Sequence, residues 1–476
     1  MGLASCLAVD LSARSCPGTC TSRSDGRDLI GALKRTMRVL SAVPAGGAIP
    51  LDERWKAGTS MPGDDRVVTG GVDTHKDVHV AAVIDRIGKV IATANFVTSA
   101  RGCRELVAWM GSFGRVGKVG VEGTGAYGAG LTRHLGAAGI EVVEVNRPNR
   151  QARRRRGKSD TVDAEAAARA ALNGEANAVP KSQDSLVTSI RALRVAFTSA
   201  RDSRTRVALQ LRDLIVTAPD ELRAVLGPLS SGERAARCAR FHLAGDLADP
   251  IAGTKLALRT LARRYEALST EMAHLEATLG ELTARANPAL RGARGVGTDV
   301  ASILLVAAGD NPERLKSEAA FAALCGVSPV EASSGKTVRH RLNRSGNRQA
   351  NHALWRIVMV RLGTADPATK AYVERRTAEG KTQREIVRCL KRHVAREIYR
   401  HLVRPEAVPA GNDLRAARLA AHISLQTVAD ALSSWPTRIS ELERALKHDT
   451  DLARRYAQWL ALHPPIDVAD APEQAA

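Results

Sequence analysis

Past residue 60 the chain settles into short β-branched runs divided by polar turns. Residues 67–72 and 78–84 flank the turn Asp73-Thr74-His75-Lys76-Asp77, and residues 89–97 follow a Gly-Lys turn. Three strands in succession predict an antiparallel meander. The period then changes. Residues 100–113 repeat as a helix, 119–121 as a short strand, 126–138 as a helix and 140–145 as a strand. A meander followed by strand–helix–strand crossovers predicts a mixed α/β sheet.

Beyond the sheet the pattern is helical. Residues 163–172 are Ala-rich and open near Lys158-Ser159-Asp160-Thr161-Val162-Asp163. Residues 183–285 hold two long Leu/Ala-periodic stretches, broken around 219–232 and 244–253, which predict a helical arm with an antiparallel coiled-coil character. Residues 286–405 form a second, mostly helical unit. A Pro/Gly-bearing linker at 405–411 precedes a last helical block that runs to about residue 462. Residues 1–60 show no sustained period and read as disordered or as an over-extended reading frame, and 466–476 as a flexible tail.

Charge narrows the partners. Lys plus Arg number 70 against 50 Asp plus Glu, a formal net charge of +20, which favours a polyanion. No apolar run reaches the roughly 18 residues of a membrane span. Seven scattered Cys form neither a disulfide framework nor paired zinc knuckles, which fits a reduced, cytoplasmic protein away from membranes. Aromatics are only 3% of the chain, so its cores must rest on aliphatic side chains.

Four carboxylates stand at predicted element ends: Asp73 after the first strand, Glu122 after the fourth, and Asp160 and Asp163 at a helix start. Brought to one sheet edge they would repel unless cations lay between them, and Mg2+ suits hard oxygen donors. Mn2+ could substitute. Taken singly, each is as well explained by a turn or a helix cap.

Seven cations, Arg147, Arg150, Arg153, Arg154, Arg155, Arg156 and Lys158, lead into Asp160 without an intervening acid, either as a solvated face or as a grip on a phosphate backbone. Gly123-Thr-Gly125-Ala-Tyr-Gly128 spells a dinucleotide-binding fingerprint, but Glu122 would repel a pyrophosphate there. Gly295-Val-Gly297 before an apolar helix suggests a helix–hairpin–helix turn that offers N–H groups to a phosphate, or a packing device. Ser333-Ser334-Gly335-Lys336 opens a basic stretch with Arg339, Arg341, Arg344 and Arg348. A serine there could be a nucleophile or an ordinary loop residue. His75 and His79 lack a helical i, i+4 face and read as non-ligands.

Val72-Asp73-Thr-His-Lys-Asp77, Val121-Glu122-Gly-Thr-Gly and Lys158-Ser-Asp160-Thr-Val-Asp163 together resemble the DEDD transposases. These insertion-sequence recombinases have a RuvC-like, RNase H-like catalytic domain and are related to the Piv DNA invertases. Residues 289–363, with Gly295-Val-Gly297, Ser334-Gly335-Lys336 and Arg344-Ser-Gly-Asn-Arg348, resemble the family's second domain. The resemblance implies a RuvC-like domain over 61–180, a helical arm over 181–285 and a second transposase domain over 286–405. It further implies a Mg2+-binding tetrad of Asp73, Glu122, Asp160 and Asp163, and Ser334 as nucleophile with Ser333 as its rival. Implied partners are the DNA of element ends and target, a structured guide RNA, and further copies in a homodimer or homotetramer. Residues 406–465 resemble a Cro/repressor-type helix-turn-helix, its recognition helix at 436–442 carrying Arg438. A Piv-like invertase without RNA guidance and an inactive nucleic-acid-binding regulator are the alternatives.

Overall fold

The computed structural model describes residues 66–145, 159–182, 185–243, 245–364 and 366–464. The expectations for 1–60 and 466–476, and the cations Arg147, Arg150, Arg153, Arg154, Arg155, Arg156 and Lys158, lie outside the described residues.

Five strands, β1 (Val67–Thr74), β2 (Val78–Ile84), β3 (Val90–Val97), β4 (Arg115–Glu122) and β5 (Glu141–Val145), form one sheet in the order β3-β2-β1-β4-β5. The meander β1-β2-β3 is antiparallel, and β4 and β5 run parallel to β1. The sheet is therefore mixed, as the alternation of periods predicted. β4 is longer than the apolar triplet at 119–121 suggested. Its polar first half is held by the ladder to β1 and by Lys118, which faces Glu141 across the β4–β5 rung at 2.8 Å.

Helices α1 (Ala100–Gly111) and α2 (Ala129–Ala137) cover one face, where Val68, Val72, Val119 and Val121 pack on Leu106, Met110, Leu131 and Leu135. α3 (Asp160–Leu172) covers the other. A Cβ on Gly71 would lie 2.2 Å from the Ala164 oxygen, and one on Gly120 would lie 2.4 Å from the Ala167 oxygen. Missing side chains on the strands and alanines on the helix thus let the α3 backbone rest directly on β1 and β4. α3 begins a turn earlier than its Ala-rich stretch, because the Ser159 hydroxyl accepts the Val162 N–H at 3.3 Å.

The arm consists of α4 (Leu186–Val216) and α7 (Pro250–Ala286), joined by the short helices α5 (Asp220–Leu226) and α6 (Ser231–Ala239). Val207, Leu211 and Ile215 of α4 share a core with Leu258 and Ala262 of α7. Ile190 and Phe197 pack with Met272 and Leu279, so the two long helices are antiparallel. This second cluster continues without a break into residues 290–402. The base of the arm thus shares a core with residues on the far side of the expected division at 285/286, and packing between distant helices leaves no local mark in sequence.

That helical unit contains α8 (Pro288–Gly292), α9 (Thr298–Ala308), α10 (Glu318–Leu324), α11 (Arg348–Gly363), α12 (Pro367–Ala378) and α13 (Gln383–Val403). Between α10 and α11 projects a hairpin whose paired rungs are β6 (Val330–Glu331) and β7 (His340–Arg341). Asp299 at the start of α9 binds Arg194 of α4 at 2.5 Å and also Arg356 of α11, tying the arm to the unit.

The last block, α14 (Gly411–Ala420), α15 (Leu425–Ala431), α16 (Pro436–Glu443) and α17 (Thr450–Ala461), has its own core around Val428, Ile439, Leu442 and Tyr456. Inside it Arg418 grips Glu443 through two hydrogen bonds of 2.7 and 3.0 Å, and the Tyr456 hydroxyl donates to the same carboxylate at 2.7 Å. Gly292 of α8 meets Thr450 so closely that a Cβ there would collide with the threonine hydroxyl.

Candidate active site

The β1–β4 register pairs Val72 with Val121, which puts Asp73 and Glu122 on the next rung, at the carboxyl ends of adjacent parallel strands. Both share the strand face of Gly71 and Gly120, the face on which α3 lies. The first turn of α3 carries Asp160 and Asp163. Close packing of the Ala-rich helix on the glycines thus brings its acidic end over the acidic end of the sheet.

His75 bridges the two elements. Its Nε2 lies 3.2 Å from Asp73 Oδ2 and 3.4 Å from Asp160 Oδ2. One ligand atom from each of Asp73, His75 and Asp160 falls within 4.8 Å of the others, a set that could hold a metal ion. The turn after Asp73 thus brings His75, expected as a non-ligand, over the strand end although it lacks a helical i, i+4 face. His79 is different: it is buried in β2 with both ring nitrogens unpartnered among the described residues, and burial together with the charge of His75 lowers its pKa.

Asp73 is 7% exposed, and burial pushes its carboxyl above the ordinary aspartate value. His75 opposes that rise, whereas the charges of Asp163 and Asp160 add to it. Asp163 is likewise buried, while Asp160 remains open to solvent. The neighbouring carboxylates thus disfavour the ionisation of Asp73, and a divalent cation would relieve the repulsion. Two carboxylates with one imidazole nitrogen fit such an ion. Oxygen donors suit Mg2+, and the imidazole adds to the affinity for Mn2+. Glu122 stands partly exposed beside this group, its carbonyl accepting the Thr74 hydroxyl at 2.7 Å.

The glycine-rich loop after Glu122 has a packing explanation. A Cβ on Gly128 would press on Thr74, Val121 and the Gly123 oxygen, and Gly123 has a φ of +72°. The loop folds on itself, with Ala126 and Gly128 both donating to the Gly123 carbonyl.

Ser334 lies outside the acidic group, near the tip of the β6–β7 hairpin. It exchanges backbone hydrogen bonds of 3.1 Å with Thr337 around Gly335-Lys336, and Gly335 takes a φ of +57°. From Glu331 to Leu342 the hairpin is exposed, including Lys336, Arg339 and Arg341. Ser333 uses its hydroxyl to accept the Arg339 N–H at 3.1 Å. Among the described residues the Ser334 hydroxyl has no such partner.

The remaining candidate cations are scattered. Arg344 and Arg348 are exposed beside the start of α11. Arg438 reaches Asp449 at 2.8 Å, so its guanidinium is partly engaged within the C-terminal block. Gly295, with a φ of +83°, turns against Ile357, and Arg291 donates across the turn to the Val296 carbonyl at 3.0 Å. Gly297 caps α9 with open space around it.

Acidic side chains at the ends of two adjacent parallel strands, in a chain with a large surplus of Lys and Arg, are compatible with cation-assisted chemistry on phosphodiesters. Comparison with known proteins gives the particular group. Residues 70–218 match the DEDD model of IS110 transposases, described as Transposase, and residues 287–374 match the Transposase IS116/IS110/IS902 family. Two stretches of the chain are thus similar to domains of IS110-family transposases. It is also 32% identical over 136 residues to an uncharacterized 43.6 kDa protein of insertion element IS110 from Streptomyces coelicolor. That match covers 28% of this chain and 33% of the relative, so the chain spans about a third of the protein it matches. Among the described residues no helix is long and apolar enough to cross a membrane.

Proposed function

We propose that this protein is an insertion-sequence DNA transposase that cuts and rejoins DNA with an RNase H-like carboxylate site and a serine nucleophile. The observation that carries the reading is the meeting of Asp73, His75 and Asp160 at one sheet edge, with Asp163 acting on Asp73, in a chain with both transposase domains. Asp73, Glu122, Asp160 and Asp163 would hold Mg2+ or Mn2+, with His75 beside them. A divalent cation bound there would neutralise charge on the phosphate oxygens.

Ser334 Oγ attacks the phosphorus of the scissile diester. A serine–phosphorus ester forms, one phosphorus–oxygen ester bond breaks, and the proton lost by the serine balances the one gained by the leaving hydroxyl. Attack by a hydroxyl of the second strand reverses the exchange and frees Ser334. The exposed hairpin suits a nucleophile that reaches DNA gripped elsewhere, including DNA held by another protomer of a dimer or tetramer. Lys336, Arg339, Arg341, Arg344, Arg348 and the basic cluster from Arg147 to Lys158 would track phosphates. The turn at Gly295 and Gly297 would offer N–H groups to one. The C-terminal block, with Arg438 on α16, adds a helix-turn-helix contact to DNA, and a structured guide RNA would select the sites.

Denaturing a stalled reaction tests the serine step. DNA should remain attached to the protein, the adduct should map to Ser334, and Ser334→Ala should abolish it while nucleic acid still binds. Full recombination by a Ser333→Ala, Ser334→Ala double variant would end the serine mechanism.

A further inference from the structure

The second transposase domain also contains a cleft remote in character from the acidic site. It occupies about 560 Å³ and is lined by Arg344, Arg348, Lys391, Asn351, His352 and Trp355 together with loop backbone. We propose that this cleft holds a single unpaired nucleotide, its base against Trp355 and His352 and its phosphates at Arg344, Arg348 and Lys391.

Three observations converge. The first is an aromatic pair that the core does not use. Ala350, Ala353, Leu354, Ile357 and Val358 bury one face of α11, while Trp355 stays 41% exposed on another. His352, one helical turn earlier, stacks on it with ring centroids 5.3 Å apart and planes 27° apart. In a chain so poor in aromatics, an indole left to solvent beside an imidazole is a stacking platform looking for a third ring.

The second is charge. Three cations line the cleft and no acid does. Elsewhere in the same unit arginines are paired: Arg356 with Asp299, Arg361 with Glu397, and Arg392 and Arg396 with Glu318. Arg344 and Arg348 have no carboxylate partner among the described residues, so their charge is left for an anion.

The third is a rigid floor. A Cβ on Gly346 would lie 2.2 Å from the Gly326 nitrogen, so the two loops touch backbone to backbone. The Asn351 amide donates to the Cys325 carbonyl at 2.8 Å, and its oxygen accepts Lys391 Nζ at 2.9 Å. The cations and the rings are thereby held on one preformed surface.

Bases stacked within a duplex cannot offer a face to a side-chain ring, whereas an unpaired base can. The cleft therefore fits a melted or single-stranded nucleotide, of DNA or of RNA. This goes beyond the proposed strand exchange and is read without cleavage, so it can fail while the acidic site stands, and the reverse.

Binding of the full-length protein, without divalent cations, to short single strands of DNA and RNA and to the matching duplex tests it. Trp355→Ala should weaken single-strand binding roughly tenfold or more and leave the duplex within about twofold, and Trp355→Phe should recover most of the loss. Arg344→Ala with Arg348→Ala should make single-strand affinity less salt-dependent, whereas Trp355→Ala should not. A Trp355→Ala loss on both single strands marks a base platform for either, and a loss confined to one assigns the cleft to that strand. If Trp355→Ala misfolds, His352→Ala supplies the same comparison. Unchanged single-strand affinity, or an equal loss on the duplex, would overturn the proposal.

Discussion

Asp299 receives one guanidinium from the arm and another from α11, and it illustrates what a single carboxylate can do away from the chemistry. Burial alone would raise its pKa, but hydrogen bonds and charge from Arg194 and Arg356 outweigh burial and hold it below its ordinary value of 3.8. A depressed folded-state value means stabilisation that is complete above the unfolded pKa and lost as pH falls through the folded one. Asp299→Ala would leave Arg194 buried without its partner, at a cost of about 3 kcal/mol near neutral pH. Urea melts of both proteins at falling pH should show that difference shrinking below pH 3.8. A constant gap would mean that the charge pair is not its source. At this same scale sequence located Asp73 and Asp160 by their places at element ends. The approach of His75 through a turn has no period to read, and the spacing of Trp355 and His352 on α11 reads equally well as core. The choice of Ser334 over Ser333 came from the family resemblance, and the bond of the Ser333 hydroxyl to the Arg339 N–H is a difference between them that no spacing displays.

Elements carry the site through α3. Four of its six alanines, Ala164, Ala167, Ala168 and Ala171, are buried, and Gly71 and Gly120 remove the side chains that would hold the helix off the sheet. Gly71→Ala should force the helix outward and destabilise the fold by about 1–3 kcal/mol, the usual cost of overpacking. Because Asp160 rides on the displaced helix, the same variant should bind Mn2+ more weakly in a calorimetric titration. Unaltered stability and Mn2+ affinity would show that the close contact does not position the site. Strand and helix existence was legible from period throughout the sheet. Boundaries were not: β4 begins four residues before its apolar triplet because ladder bonds and the Lys118–Glu141 pair hold its polar half, and α3 begins at a serine cap rather than at its alanines.

On the scale of the whole molecule, separate cores decide what can be removed. The C-terminal block has its own cluster and touches the rest mainly where α17 meets α8. Ending the chain after Pro405 should therefore lower the melting temperature only slightly. It should weaken DNA association and reduce its dependence on salt, because the proposed helix-turn-helix contact and its phosphate pairings would be lost. Unchanged affinity and salt slope would make that block a packing module. The arm behaves otherwise, since its base is continuous with the core of residues 290–402. Composition showed the arm's helices and the basic surplus, but the shared core is formed by contacts between residues a hundred positions apart.

The central claim is that carboxylates gathered at the sheet edge, acting through a divalent cation, cut DNA. Strand cleavage by Asp73→Asn and Glu122→Gln, with melting curves as a check on folding, tests it most directly, because each change removes charge and keeps volume. Both variants should stay folded, lose cleavage in Mg2+ and in Mn2+, and still bind DNA through the arginines. Cation-dependent cleavage at the wild-type rate in both folded variants would contradict the account.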